Sequence, residues 1–336
     1  MTELKGAHLI GVGAAVPETV VSNADLTQLV DTSDEWIQTR TGIRNRRVVT
    51  PDETGASLGT KAAMDAIGFA GLDPTLIDLV IVATSTPDYF YPATACLIQN
   101  AIGATNAAAF DLEAACTGMI YALVTGYQFV AAGTFKNVLV CGIDVHSRFL
   151  DWTDRNTCIL FGDGAGAFLL QASDTENDIL STYLRSDGSG GELLYLLNPG
   201  THYPVGRGVD QDPTRVVRMN GRAVYEFAIK AVPEAVTIAC ERAGLKIEDI
   251  DFFVPHQAND RITKGAAARL EAPTEKWISD VDQYGNTSAA SIPLAFCNAL
   301  EQGRIKPPVT VALVGFGAGL TWASAVVRWT AEDKRK

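Results

Sequence analysis

Long apolar runs are missing from this 336-residue chain, and each hydrophobic stretch is broken by glycine or charge. None reaches the roughly 18–20 residues of a membrane span, so no membrane association is expected. The opening segment, "MTELKGAHLIGVGAAVPE", lacks a charged stretch followed by a long enough apolar one, which argues against a signal peptide and for the cytoplasm. Positive charge is scarce as well: 27 basic against 39 acidic residues give a net charge of −12, which disfavours nucleic acid as a partner. An acidic protein partner would have to find a local basic patch. The six cysteines, at 96, 116, 141, 158, 240 and 297, contain no C-x-x-C pair, and a chain with so large a core needs no disulfides. There is no H-x-x-x-H and no carboxylate cluster, so no metal is expected, and His8, His146 and His202 are weak candidates for chemistry. The glycine-rich "GVGAAV" (11–16) and "GDGAGA" (162–167) do not keep dinucleotide-binding spacing and read as turns in tight strand packing.

What is present is a globular composition, 47% hydrophobic and 20% charged, written as an internal repeat. "AGLDPTLIDLVIVATS" (70–85) lies without gaps on "AGLKIEDIDFFVPHQA" (243–258), an offset of 173, and the same offset lays "NVLVCGI" (137–143) on "TVALVGF" (310–316). Continuous runs such as "LVIVAT" and "VLVCGI" predict strands covered on both faces, hence α/β architecture with sheets sandwiched by helices. Two pseudo-symmetric halves, 1–172 and 173–336, are expected in one body.

Cys116 stands where an extended run stops and the apolar stretch 119–132 begins, at the mouth of a predicted buried helix. Unpaired N–H groups and the helix dipole there predict a lowered thiol pKa and a nucleophile, with Gly118 leaving room for a reactant. The alternative is a small core residue. "FFVPHQAND" (252–260) ends a strand with His256, which the repeat lays on Ala83. "QYGNTSAAS" (283–291) sets Ala289 opposite Cys116, with Asn286 three residues earlier. Cys116, His256 and Asn286 would then meet across a pseudo-dyad, although singly His256 also fits a satisfied buried histidine and Asn286 a helix cap.

The stretches "NADLTQLVDTSDEWIQTRTGIRNRR" (23–47), "DLEAACTGM" (111–119), "TDRNTCILFGDGAGA" (153–167), "VPHQANDRI" (254–262), "GNTSAASIPLA" (285–295) and "GFGAGLTWASAVVRW" (315–329) together span nearly the whole chain. They resemble β-ketoacyl-acyl carrier protein synthase III, the initiating condensing enzyme of type II fatty-acid synthesis in the thiolase-like superfamily. The resemblance implies a five-layered αβαβα fold, a homodimer, and no cofactor, with acetyl-CoA and malonyl-acyl carrier protein as substrates. It implies Cys116 as the acylated nucleophile, with His256 and Asn286 completing the site. It also implies an oxyanion-holding N–H at Ala318 and an apolar wall at Phe316 that favours loss of CO₂. Trp36 and Arg155 would sandwich the adenine of coenzyme A. Thr32, Arg40, Leu160, Gly221, Tyr225, Ala258, Asn259 and Arg261 would line its path, and Gln257, Ala258, Asn259, Asp260 and Arg261 would border the carrier-protein site.

The sequence departs from the family pattern at several positions. Thr117 follows the cysteine, Ala318 stands in place of a third clustered glycine, and Tyr225–Glu226 replaces a common Phe-Lys pair. The lost lysine leaves Arg222, Arg261, Lys264 and Arg269 to meet an acidic carrier. Tyr91 stands where the family often has a phenylalanine reaching into the partner subunit's acyl pocket, and its hydroxyl favours a short acetyl primer. A different acyl acceptor, or a polyketide starter role, would use the same cysteine. A non-catalytic subunit would be expected to lose it, and a papain-like hydrolase shares only the three residue types.

Overall fold

The computed structural model describes residues 5–197, 201 and 216–335; His202 lies outside them. The apolar runs form strands as anticipated: Leu79–Ala83 and Asn137–Val145 are buried along their whole length. Two sheets result. The first has five strands in the order Gly6–Ala15, Asp163–Ser173, Asn137–Val145, Leu79–Ala83 and Ala108–Leu112. The second has four, in the order Phe252–Pro255, Val309–Gly317, Thr321–Trp329 and Ile179–Ser186. Each sheet holds one equivalent parallel pair, Leu79–Ala83 beside Asn137–Val145 and Phe252–Pro255 beside Val309–Gly317, and the first adds a second, Leu79–Ala83 beside Ala108–Leu112.

The offset of 173 read from the sequence relates Gly6–Ala15 to Ile179–Ser186, and Leu79–Ala83 to Phe252–Pro255. It also relates helix Gly118–Ala131 to Ser291–Glu301 and the short turn Ala115–Thr117 to Ser288–Ala290. The last strand of each half falls outside the offset for a simple reason. The first half inserts residues 146–162 between Asn137–Val145 and Asp163–Ser173, whereas the second turns directly from Val309–Gly317 to Thr321–Trp329. A fifth strand in the second sheet is reduced to one bridge between Phe253 and Trp277.

Helices Gly118–Ala131 and Ser291–Glu301 each touch both sheets and form the middle layer. The first is apolar nearly all round because neither face meets water. Helix Gly55–Ala70 covers the outer face of the five-stranded sheet, and Gly221–Ala243 covers that of the four-stranded one. The main core runs between the sheets through Ile120, Leu123, Phe168, Phe296 and Trp329, with smaller cores under the two outer helices. The layers are therefore α, β, α, β, α. Both middle helices begin at the centre of the molecule, and the two short turns that precede them pack against each other.

Candidate active site

Cys116 sits in the 3₁₀ turn Ala115–Thr117, and the α-helix proper starts at Gly118. Two glycines let the strands crowd these turns. A Cβ on Gly142 would lie 2.3 Å from the Ala289 carbonyl oxygen, and one on Gly317 would lie 2.8 Å from the Cys116 nitrogen. Cys116 is only 6% exposed, and the Ser288 hydroxyl donates to its sulfur at 3.3 Å.

The thiol differs from expectation in its charge. Burial pushes Cys116 up to about 12, and the carboxylates of Asp144 and Glu113 add to that rise. The Ser288 hydroxyl and a backbone hydrogen bond act in the opposite direction. Desolvation outweighs these two hydrogen bonds, so the resting thiol is neutral, not the anion that its position in the sequence suggested.

His256 follows strand Phe252–Pro255 and is 3% exposed. Its Nδ1 is 2.7 Å from the Ser291 hydroxyl, which also accepts the Gln257 N–H at 3.3 Å. With the Ser291 hydroxyl donating a hydrogen bond to Nδ1, the ring hydrogen sits on Nε2, the tautomer the site's proposed chemistry requires; the Ser288 backbone is a second hydrogen-bond partner of the ring. Burial, and then the His146 imidazole nearby, push the His256 pKa down to about 3, so the ring is neutral at physiological pH. Phe316 meets it edge to face, with ring centres 5.3 Å apart.

Asn286 is 7% exposed and is fixed by its backbone: its N–H donates to the Leu160 carbonyl, and its own carbonyl accepts from Gly162. Its side-chain oxygen accepts the Ser288 N–H at 2.8 Å, which assigns the amide orientation and leaves the NH₂ end as the donor.

Cys116, His256, Asn286 and Phe316 line one cleft of about 930 Å³ with Gly317. Its walls also include Trp36, Arg40, Leu160, Gly221, Tyr225, Ala258, Asn259 and Arg261, all expected from the sequence. Asn259 caps helix Asp260–Arg269 by accepting the Arg261 N–H, and its amide donates to the Arg40 carbonyl, tying the two rims together. The Arg261 guanidinium lies over the Tyr225 ring at 5.3 Å. Asp154, Asn156, Ile159, Phe161, Met219 and Val224 are also among the lining residues and were not singled out in the sequence. The first four belong to the insertion 146–162, so the unmatched stretch of the repeat was the available signal.

Several expected residues lie elsewhere. Gln257 is turned inward. It is 2% exposed, its amide donates to the Pro255 and Ile278 carbonyls, and its oxygen accepts the Asp280 N–H, so it braces the site from behind and cannot border a docking surface. Asp260 is partly buried and paired with Lys264. Ala318 follows Gly317 of the cleft wall, while Thr32 and Arg155 lie beyond its lining. The Arg155 guanidinium instead rests over Trp36 at 5.1 Å, with Arg40 at 4.4 Å from the same ring, so a base entering between Trp36 and Arg155 has to displace the arginine. Ala318 does not adopt a positive φ, so alanine is unstrained there; the left-handed residue is Gly319. Of the basic candidates, Arg222 is paired with Glu226 and Arg269 donates to the Ile229 carbonyl, so neither is a free cation. Tyr91 is 87% exposed, beside exposed Tyr89 and Phe90. Among the described residues, no group of three or more His, Cys, Asp or Glu is placed to hold a metal ion.

A five-layer α/β body with a cysteine at the mouth of a central helix, facing a neutral imidazole and an amide at the bottom of a long cleft, defines a thiolase-like condensing acyltransferase. Known proteins make this specific. Family profiles for 3-oxoacyl-[acyl-carrier-protein] synthase III match residues 110–188, and for its C-terminal region residues 240–329. The beta-ketoacyl-[acyl-carrier-protein] synthase III of Thermosynechococcus vestitus is 53% identical over 328 residues, covering 97% of this chain and 99% of that protein. The crystal structure of the Aquifex aeolicus synthase III superposes with a TM-score of 0.90 at 42% identity, covering 96% of this chain and all of that one. The priming β-ketosynthase of the R1128 polyketide pathway gives a TM-score of 0.92 at 36% identity, covering 99% and 98%. The chain belongs to the β-ketoacyl-acyl carrier protein synthase III family, whose members are initiating condensing enzymes of fatty-acid synthesis.

Proposed function

We propose that this protein condenses acetyl-CoA with malonyl-acyl carrier protein to give acetoacetyl-acyl carrier protein, CoA and CO₂, through an acyl group carried on Cys116. The observation that supports it most is the convergence of Cys116, His256 and Asn286 at the floor of one cleft. The Cys116 sulfur attacks the acetyl thioester, its proton ends on the departing CoA sulfur, and N–H groups at Cys116 and Ala318 hold the oxyanion. Trp36, Arg40, Arg155 and Thr32 at the outer rim take the nucleotide end of CoA. Leu160, Gly221, Tyr225, Ala258, Asn259 and Arg261 guide its arm.

Malonyl-acyl carrier protein then occupies the same cleft. Ala258, Asn259, Asp260 and Arg261 form the rim that receives the carrier. Loss of CO₂ leaves an enolate whose oxygen accepts from His256 Nε2–H and the Asn286 amide, both neutral donors. The apolar Phe316 ring beside His256 disfavours the carboxylate and favours neutral CO₂. The carbanion attacks the acetyl group and expels Cys116, which regains a proton from water. The thioesters and the lost CO₂ drive the reaction, so no prosthetic group takes part.

The reading extends to organisation. The halves 1–172 and 173–336 descend from one repeated unit, supported by the common offset of their strands and turns. The exposed Tyr89–Tyr91 loop carries Tyr91 into a second copy of the chain, making a cytoplasmic homodimer with a short acyl pocket. The likeness to a polyketide-priming ketosynthase favours a second reading, a different or longer primer. Intact mass after exposure to mixed acyl-CoAs, followed by malonyl-acyl carrier protein, tests both. An acetyl adduct that turns over to acetoacetyl-acyl carrier protein supports the first; preferential loading of a longer acyl group supports the second.

A further inference from the structure

Ser288 has a left-handed backbone, φ +52°, a conformation that costs a residue with a Cβ and that glycine takes freely. Its position is over-determined: Asn286 accepts its N–H, and the next N–H, of Ala289, donates to the fully buried Asp144. The consequence is that its hydroxyl reaches across to the Cys116 sulfur. The matching residue of the first half, Ala115, holds the same conformation at φ +47°, and the offset of 173 matches Cys116 to Ala289, so the mirrored pair has neither a hydroxyl nor a sulfur. Strain that persists in both copies but delivers a polar group in only one marks a functional position.

We propose that Ser288 is a further catalytic residue, whose hydroxyl stabilises the Cys116 sulfur by hydrogen bonding as negative charge builds on it during acyl transfer. The sulfur faces two carboxylates, Asp144 and Glu113, that oppose such charge, and Ser288 supplies the side-chain donor on the other side. The hydroxyl keeps its proton throughout. Once the sulfur is acylated the bond has no anion to stabilise, so Ser288 acts in the first half-reaction and not in decarboxylation.

This rests on Cys116 being the nucleophile, and the test separates the two. Ser288→Ala and Ser288→Gly are made in the full chain, glycine relieving the backbone so that folding is retained. Alkylation by iodoacetamide is followed across pH by mass mapping of the Cys116 peptide, with exposed Cys96 as the internal reference. Acetylation by acetyl-CoA is timed in parallel. Both variants are expected to react at Cys116 about ten-fold more slowly, the size of one hydrogen bond to a charged group. Cys96 should be unchanged, and decarboxylation of malonyl thioester should stay near the parental rate. Parental reactivity at Cys116 in both variants overturns the proposal, as does slowing in alanine alone, which would report the backbone. If the parental protein takes no acetyl group while alkylation still slows in both variants, the condensing function fails and the role of Ser288 stands.

Discussion

The turns 113–118 and 286–291 share one backbone and almost no chemistry. In the first, the Glu113 side chain accepts the Ala115 N–H at 3.0 Å; in the second, Asn286 accepts the Ser288 N–H at 2.8 Å. The bond is the same, but a carboxylate has no donor left over whereas an amide keeps its NH₂. Gly118 packs against Ala83, and at the equivalent place Ser291 hydrogen-bonds His256. Cys116 in the first turn corresponds to Ala289 in the second. Under the proposed reaction one copy thus holds the nucleophile and the other holds the side-chain donors, which serve both half-reactions in a shared cleft.

Breaking that division should give unequal effects. The largest is expected for Cys116→Ser, which should lower acyl-enzyme formation by roughly a thousand-fold or more, read by intact mass after acetyl-CoA. Next, His256→Ala and Asn286→Ala should still acquire the acetyl group but release CO₂ from malonyl-acyl carrier protein roughly a hundred-fold more slowly. Parental CO₂ release by both would remove them from the enolate's support.

A finer test concerns pH. His256, with its pKa down near 3, stays neutral in the fold while an ordinary histidine gains a proton below about 6.5. Decarboxylation should therefore show no limb from this residue between about pH 5 and 8. The linkage has a definite sign. The unfolded chain binds the proton that the folded one refuses, so keeping His256 neutral lowers stability as pH falls below about 6.5 and costs nothing above it. In thermal melts the parental protein should lose stability relative to His256→Asn as pH falls below about 6.5, with a constant difference above that value. The smallest effect is expected for Ala115→Ser, which adds a hydroxyl to the first turn at the position matched to Ser288. Acylation and decarboxylation rates should stay within about two-fold of parental, whereas Ser288→Ala should slow acylation about ten-fold.

Much of this frame was legible from residues alone. Strands buried on both faces announce themselves as unbroken Val, Ile and Leu, and the 173-residue offset is readable because both copies keep the same helix-to-strand connection. The offset also pairs Gly118 with Ser291, so the serine that orients His256 was available to the same reasoning. Three things were hidden. The neutral state of Cys116 depends on how deeply the fold buries it, which a helix-mouth position does not reveal. The inward turn of Gln257 depends on the strand Phe252–Pro255 ending inside the molecule, where a polar run looks like an exposed one. The left-handed Ser288 has no signature, because glycine is the residue that ordinarily marks such a turn.

The separation of the two turns is tested most directly by CO₂ release from malonyl-acyl carrier protein in Cys116→Ser. If His256 and Asn286 work as a unit of their own, this variant continues to decarboxylate malonyl-acyl carrier protein while forming neither acyl-enzyme nor acetoacetyl product. Loss of CO₂ release together with acylation would contradict the account.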